Sequence, residues 1–178
     1  MTYKTEIIAR IKDSDKWPAF TRPDFLQELN DVADDAFSKG TVEGYLASVL
    51  IYHQITEEMI KLLVECCEFL VQIAVFPREI QFRHGDRSMF GKILNELENT
   101  LSFEHKREFI EKCNELNRVR IRMVHKLTAK SSLADIKRQS LTIKDIFDQI
   151  YRIQNDIYNK FRVSFHSYKK DTNWEELL

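Results

Sequence analysis

The chain has 178 residues, of which 43% are hydrophobic and 31% charged, a balance that excludes intrinsic disorder and suits one domain with a substantial core. Its net charge of −1 excludes a strong overall attraction to nucleic acid, although it does not exclude a local basic surface. Four glycines and three prolines favour long helices over turn-rich sheets, so we expect an all-α protein.

The predicted cellular context follows from features that we do not find. The first residues lack the basic, apolar and small-residue pattern of a signal peptide, and three cysteines cannot form a closed set of disulfides. The most apolar stretch, residues 62–76, is interrupted by Glu65, Glu68 and Gln72, so we predict no membrane contact. No cysteine and histidine spacing indicates zinc. We therefore expect a cytoplasmic protein with free thiols and without a metal or a cofactor.

Two predicted helices precede the long one, and the first of them is short. One covers residues 5–12 and is followed by an irregular aromatic link around Trp17. The next begins at Pro23, because proline is favoured in the first helical turn. It ends at Gly40, because glycine adopts the left-handed conformation that stops a helix.

The third predicted helix is the longest element of the chain. It follows Thr41 as a plausible N-cap and reaches Val75, a length of about 50 Å. Its second half has one narrow polar stripe and is otherwise apolar, so it must be covered on two sides and we expect it at the centre of a bundle. His53, Thr56 and Glu57 fall outside the polar stripe, beside a seam that we expect to be buried.

Two helices follow a loop. Pro77 ends the third helix, and residues 78–88 form a polar loop. The fourth predicted helix covers residues 89–101. The fifth, with Ser102 as its cap, covers residues 103–127.

The last predicted helix opens at Thr142, with Asp145 three residues later in the capping-box position. Its inner positions carry isoleucine and phenylalanine at helical spacing. In all, we predict a compact bundle of about five to six helices in a single domain. Its core spans residues 22–168, with residues 1–21 as an N-terminal extension and residues 169–178 as a tail.

One marked charge asymmetry lies late in the fifth predicted helix, where every charged residue is basic. Its members, within residues 116–130, are Arg118, Arg120, Arg122, Lys126 and Lys130, with His125 among them. At about 100° per residue, Arg118, Arg122 and His125 share one face of the helix. Glu111 and Glu115 precede them on that face, so ordinary exposed ion pairs would also explain the pattern.

Arg120 projects away from that face, toward an apolar stripe that includes Leu116 and Val124. A guanidinium in such a place needs an anionic partner, because an unpaired buried charge is costly. Glu57 on the third helix is one candidate. A bound phosphate is the other, since its oxygens match the planar guanidinium in a two-pronged way.

Leu116-Asn117, followed by Arg120 and then Val124-His125, resembles the Arg-x4–6-His signature of the HEPN superfamily, a group of helical RNA-cleaving or RNA-binding proteins. In that family the signature lies near the end of a helix in a compact bundle. The segment over residues 92–125 is also similar, more faintly, to the bacterial mannitol-operon repressor family.

The resemblance extends upstream and covers residues 41–168. His53, Glu57 and Lys61, followed by two leucines, look like the polar-then-leucine pattern on the long second helix of HEPN domains. One position departs from the family. Members that cut RNA usually carry a polar residue directly after the arginine, and here that residue is Ile121.

The resemblance implies a metal-independent endoribonuclease or an RNA-binding protein of the toxin or defence type. Arg120 would hold the scissile phosphate and His125 would move a proton. The neighbouring phosphates would be held by Arg118, Arg122 and Lys126, with Glu57 and His53 in support. The implied partners are RNA, a second copy paired through the motif-bearing helices, and an antitoxin-like protein. The alternative is a non-catalytic dimeric helical module for interaction or regulation, which the repressor-like similarity favours.

Overall fold

The computed structural model describes residues 2–18, 23–84, 89–125, 127, 132–171, 173, 174 and 176, and these residues form helices without any strand. The elements are α1 (Tyr3–Lys12), a 3-10 helix (Ser14–Lys16), α2 (Pro23–Ser38), α3 (Val42–Val75), α4 (Phe90–Glu98), α5 (Lys106–His125) and α6 (Leu133–Asp171). The predicted all-α fold with a long third helix is confirmed.

The α2–α3 turn forms as its residue types predict. Gly40 has a φ of +68°, a left-handed conformation that ends the helical run. The backbone N–H of Gly44 donates to Thr41 Oγ1 at 3.1 Å, so Thr41 caps the N-terminus of α3, as predicted. Gly44 itself lies against α2, because a Cβ there would be 2.2 Å from the carbonyl oxygen of Ala36.

The predicted start of the fifth helix is wrong by three residues. α5 begins at Lys106, because His105 has a φ of +63° and therefore cannot belong to a right-handed helix. Phe103 lies in the connection instead, where its ring packs at 5.4 Å from that of Phe161. Ser102 is consequently not the N-cap. The fourth helix is also shorter than predicted, because it ends at Glu98.

The predicted start of the last helix is wrong by nine residues. α6 begins at Leu133, and the backbone N–H of Asp135 donates to Ser132 Oγ at 3.3 Å. Thr142 lies inside the helix, where its hydroxyl donates to the carbonyl oxygen of Arg138 at 3.1 Å instead of capping. The helix begins before Thr142 because Ile136, six residues earlier, is buried and keeps this segment packed as a helix.

The chain divides into two compact units. The first unit comprises Met1–Thr21, Ile60–Phe103 and Asn155–Leu178, and the second comprises Arg22–Met59 and Glu104–Gln154. The long helices α3 and α6 contribute residues to both units. The extent of the domain core stays a prediction.

The first unit has an aromatic core that includes both ends of the chain. Trp17 is fully buried, its ring lies 5.5 Å from Phe165, and its indole N–H donates to the carbonyl oxygen of Ile11 at 3.2 Å. Trp174, in the predicted tail, is 3% exposed and packs at 5.2 Å from the ring of Phe76.

The second unit contains a polar network beside its core. The rings of Tyr52 and Phe147 are 4.5 Å apart, and the Tyr52 hydroxyl and the Lys144 ammonium both donate to Asp34 Oδ1. Burial alone would raise the pKa of Asp34, but these two hydrogen bonds outweigh it and hold that pKa below its usual value. The network joins residues of α2, α3 and α6.

The three cysteines are buried and free. Burial raises the pKa of Cys66 and of Cys113 well above the ordinary value, so both are inert thiols at neutral pH. Across the ranges that the structure describes, none of the helices has the length and apolar character that a membrane crossing requires.

Candidate nucleic-acid interface on α5

Helix α5 buries one face and exposes another. The buried face consists of Phe109, Cys113, Leu116, Val119 and Met123, which recur every three or four residues. Arg118, Arg122 and His125 are exposed, and they occupy the single face that the helical spacing predicts. We call these three residues the cationic row. The row lies in the last two turns of the helix, where its carbonyl dipoles favour positive charge.

The acidic residues upstream of the cationic row do not pair with it. Glu111 accepts a hydrogen bond from Arg107 Nε at 2.8 Å, and Glu115 pairs with Lys112 Nζ at 3.1 Å. Both carboxylates therefore bind cations on the N-terminal side of the row. Among the described residues, the members of the row form no ion pair. The alternative explanation of the cationic row, exposed ion pairs with Glu111 and Glu115, is therefore not observed.

Arg120 lies on a different side of α5 and is partly buried. Its Nε atom is buried, and it has no hydrogen-bond partner in the described part of the chain. Within the same residues, Arg120 forms no ion pair with Glu57. The simple structural explanation of Arg120, a fixed ion pair with Glu57, is therefore not observed.

His53 on α3 lies close enough to Arg120 for the positive charge of the arginine to lower the pKa of the imidazole. It is 2% exposed, and its ring is hydrogen-bonded to the side chain of Asn117. Burial first, and then the positive charge of Arg120, lower the pKa of His53 from 6.5 to about 4, against the opposing effects of Glu57 and Asn117. His53 is therefore neutral at physiological pH.

Four polar side chains of α3 and α5 thus form one neighbourhood, which comprises His53, Glu57, Asn117 and Arg120. Three of them are among the predicted site residues. The fourth, Asn117, stands inside the quoted motif, but no rule of spacing distinguishes it from an exposed asparagine. Only its hydrogen bond to His53 in the folded chain connects it with the other three.

Arg120 and His125 are not placed on one face of the helix. Five residues correspond to a rotation of about 140° around an α-helix, so the two side chains point to different sides. Arg120 is partly buried and its charge acts on His53, whereas His125 is exposed at the last residue of α5. Lys126, the remaining predicted site residue, lies outside the described residues. Ile121, beside the cationic row, is 41% exposed.

Comparisons of the chain with models of protein families, with curated proteins and with solved structures found no match. The residues of the site are therefore the basis for assigning a function.

Proposed function

We propose that this chain is a HEPN-like RNA-binding protein whose cationic row, Arg118, Arg122 and His125, binds the phosphates of single-stranded RNA. The observation that carries the proposal is that these three side chains are exposed on one helical face while the neighbouring carboxylates are engaged elsewhere. Arginines without carboxylate partners retain their full attraction for phosphate. The formal net charge of −1 makes this a local interaction rather than a property of the whole surface.

We further propose that Arg120 and His125 cut the bound RNA without a metal ion in a symmetric pair of chains. The rotation between the two residues on α5 separates them within one chain, so a second copy has to supply one of them. One imidazole accepts the proton of the ribose 2′-hydroxyl, whose oxygen then attacks the phosphorus. The bond from phosphorus to the 5′-oxygen breaks, and a protonated imidazole of the other copy gives its proton to that oxygen.

Arg120 would stabilise the extra negative charge that builds on the phosphate during this attack. Its buried and unpartnered Nε is consistent with a guanidinium whose acceptor arrives with the ligand. The products would be a 2′,3′-cyclic phosphate and a 5′-hydroxyl. DNA lacks the 2′-hydroxyl, so it would bind and would not be cut.

The second candidate function is a non-catalytic dimeric module for interaction or regulation. Ile121 favours it, because it stands directly after Arg120, where family members that cut RNA usually carry a polar residue. Under this candidate, the row would bind an acidic protein partner, such as an antitoxin-like protein, rather than RNA.

The test is incubation of labelled single-stranded RNA with the purified protein in chelator, beside the variants Arg120→Ala and His125→Ala. We expect cleavage by the wild type and a loss on the order of a hundredfold or more in each variant. Arg107→Gln is the matched control, since Arg107 is an exposed arginine of the same helix that is paired with Glu111. Cleavage that persists in both site variants would come from a contaminant and would end the catalytic proposal.

Binding is measured separately by fluorescence anisotropy with the same RNA. The double variant Arg118→Gln/Arg122→Gln should bind at least about tenfold more weakly than the wild type, and Arg107→Gln should bind like it. Tight homodimers that neither bind nor cut RNA would favour the interaction module.

A further inference from the structure

Three side chains of the first unit that are able to bind a metal come together from three segments of the chain. Glu68 belongs to α3, Glu96 to α4, and His84 to the connection between these helices. Their ligand atoms all lie within 4.8 Å of one another, and no other group of this kind occurs among the described residues. Both carboxylates are largely buried, with 16% and 21% of their side chains exposed, whereas the imidazole is 46% exposed.

Both carboxylates approach the same nitrogen of the imidazole. Glu68 Oε1 lies 3.2 Å and Glu96 Oε1 lies 3.4 Å from Nδ1 of His84. That nitrogen carries at most one hydrogen, which points toward one acceptor at a time. A hydrogen on Nδ1 therefore bonds to only one of the two carboxylates at a time.

His105 provides the contrast within the same chain, because it also has two carboxylate neighbours. There, Nε2 lies 3.3 Å from Glu104 and Nδ1 lies 3.3 Å from Glu108. Each nitrogen there has its own carboxylate neighbour, so the two contacts do not compete for one hydrogen. Around His84, by contrast, both carboxylates lie against the same nitrogen.

We propose that Glu68, His84 and Glu96 form a binding site for a divalent transition-metal ion of the Zn²⁺ class. One imidazole nitrogen and two carboxylate oxygens are ligands that such ions accept. A tetrahedral Zn²⁺ with bonds near 2.1 Å holds its ligand atoms roughly 3.4 Å apart. The two distances to Nδ1 match that spacing. The ion would also offset the repulsion between two carboxylates held close together.

The two carboxylates also line a cavity of about 470 Å³, which Arg83, Asn99 and Thr100 border as well. An ion held between Glu68 and Glu96 would therefore adjoin a space that admits water or a small anion as a further ligand. Sites with three protein ligands and an open position are typical of zinc ions that act on small molecules.

The test is calorimetric titration of the chelator-stripped full chain with Zn²⁺ alone, for the wild type and for the variants His84→Ala and Glu96→Gln. We expect one Zn²⁺ per chain in the wild type and binding at least tenfold weaker in each variant. His105→Asn is the matched control, because it removes a histidine that also contacts two carboxylates, and we expect it to bind Zn²⁺ like the wild type.

Two outcomes would overturn the proposal. One is a wild-type chain that takes up no stoichiometric Zn²⁺, which would leave the cluster as a contact between an imidazole and two carboxylates. The other is binding that is unchanged in both His84→Ala and Glu96→Gln, which would place the ion elsewhere. Circular dichroism of each variant confirms that its helices are intact. The metal proposal does not rest on RNA binding. The cationic row belongs to the second unit, and the RNA cleavage assay is carried out in chelator.

Discussion

His53 provides a quantitative prediction, because its burial should make the fold less stable in acid. Its pKa is about 4 in the folded chain and 6.5 without the protein environment. The folded value is the lower one, so the stabilising contribution is present above pH 6.5 and is lost as the pH falls toward 4. With these two values, linkage gives a loss of about 2 kcal/mol between about pH 7.5 and about pH 5. Screening by nearby water reduces this to between about 1 and 2 kcal/mol.

The perturbation is His53→Gln, which removes the titrating group and keeps an amide that is able to hydrogen-bond to Asn117. Urea unfolding, followed by circular dichroism at both pH values, gives the free energy of unfolding of each protein. The difference between wild type and variant should shrink by about 1 to 2 kcal/mol from the higher to the lower pH. All other titrating groups are common to both proteins and cancel. If the wild type and His53→Gln lost equal stability in acid, the claim that His53 is a buried, neutral imidazole would be refuted.

Three further predictions concern residues of the second unit. Arg120→Gln should raise the pKa of His53, because the variant lacks the positive charge that lowers this pKa. The chemical shifts of the histidine ring protons, followed by NMR against pH, measure the pKa. An unchanged value would contradict the proximity of Arg120 and His53. Gly44→Ala should destabilise the chain by about 2 kcal/mol in urea unfolding, because its Cβ would collide with the carbonyl of Ala36. Gly91→Ala, which meets nothing within 4 Å, is the control and should stabilise by about 0.5 kcal/mol; equal effects would be incompatible with the close approach of α2 and α3. Asp34→Asn should cost about 1 to 2 kcal/mol at neutral pH, because it weakens two hydrogen bonds to a carboxylate, and the loss should diminish in acid, where the wild-type carboxylate is itself protonated. A loss that does not depend on pH would count against that network.

The sequence predicts helices better than it predicts where they begin. The spacing of apolar residues, together with Thr41 and Gly40, placed α3 correctly, because its limits depend on local chemistry. Thr142 has an equally good local signal and is not a cap. Ile136 and Ser140, both buried, hold the preceding segment in the helix, and such packing against other elements is not visible in a local pattern.

The candidate site was predictable to a similar degree. Helical geometry alone predicts that Arg118, Arg122 and His125 share one exposed face. The direction in which Glu111 and Glu115 pair was not predictable, because a carboxylate is able to reach a cation one turn before it or after it. The cluster around His84 leaves no sequence signature, since its three ligands come from separate segments and follow no metal-binding spacing.

The salt dependence of RNA binding tests the cationic row most directly. For single-stranded RNA, each phosphate contact contributes about 0.7 to the slope of log affinity against log salt concentration. We expect the double variant Arg118→Gln/Arg122→Gln to lower the magnitude of this slope by about 1.4 relative to the wild type, and Arg107→Gln to leave the slope unchanged. A double variant with the wild-type slope would contradict the claim that these arginines bind phosphates.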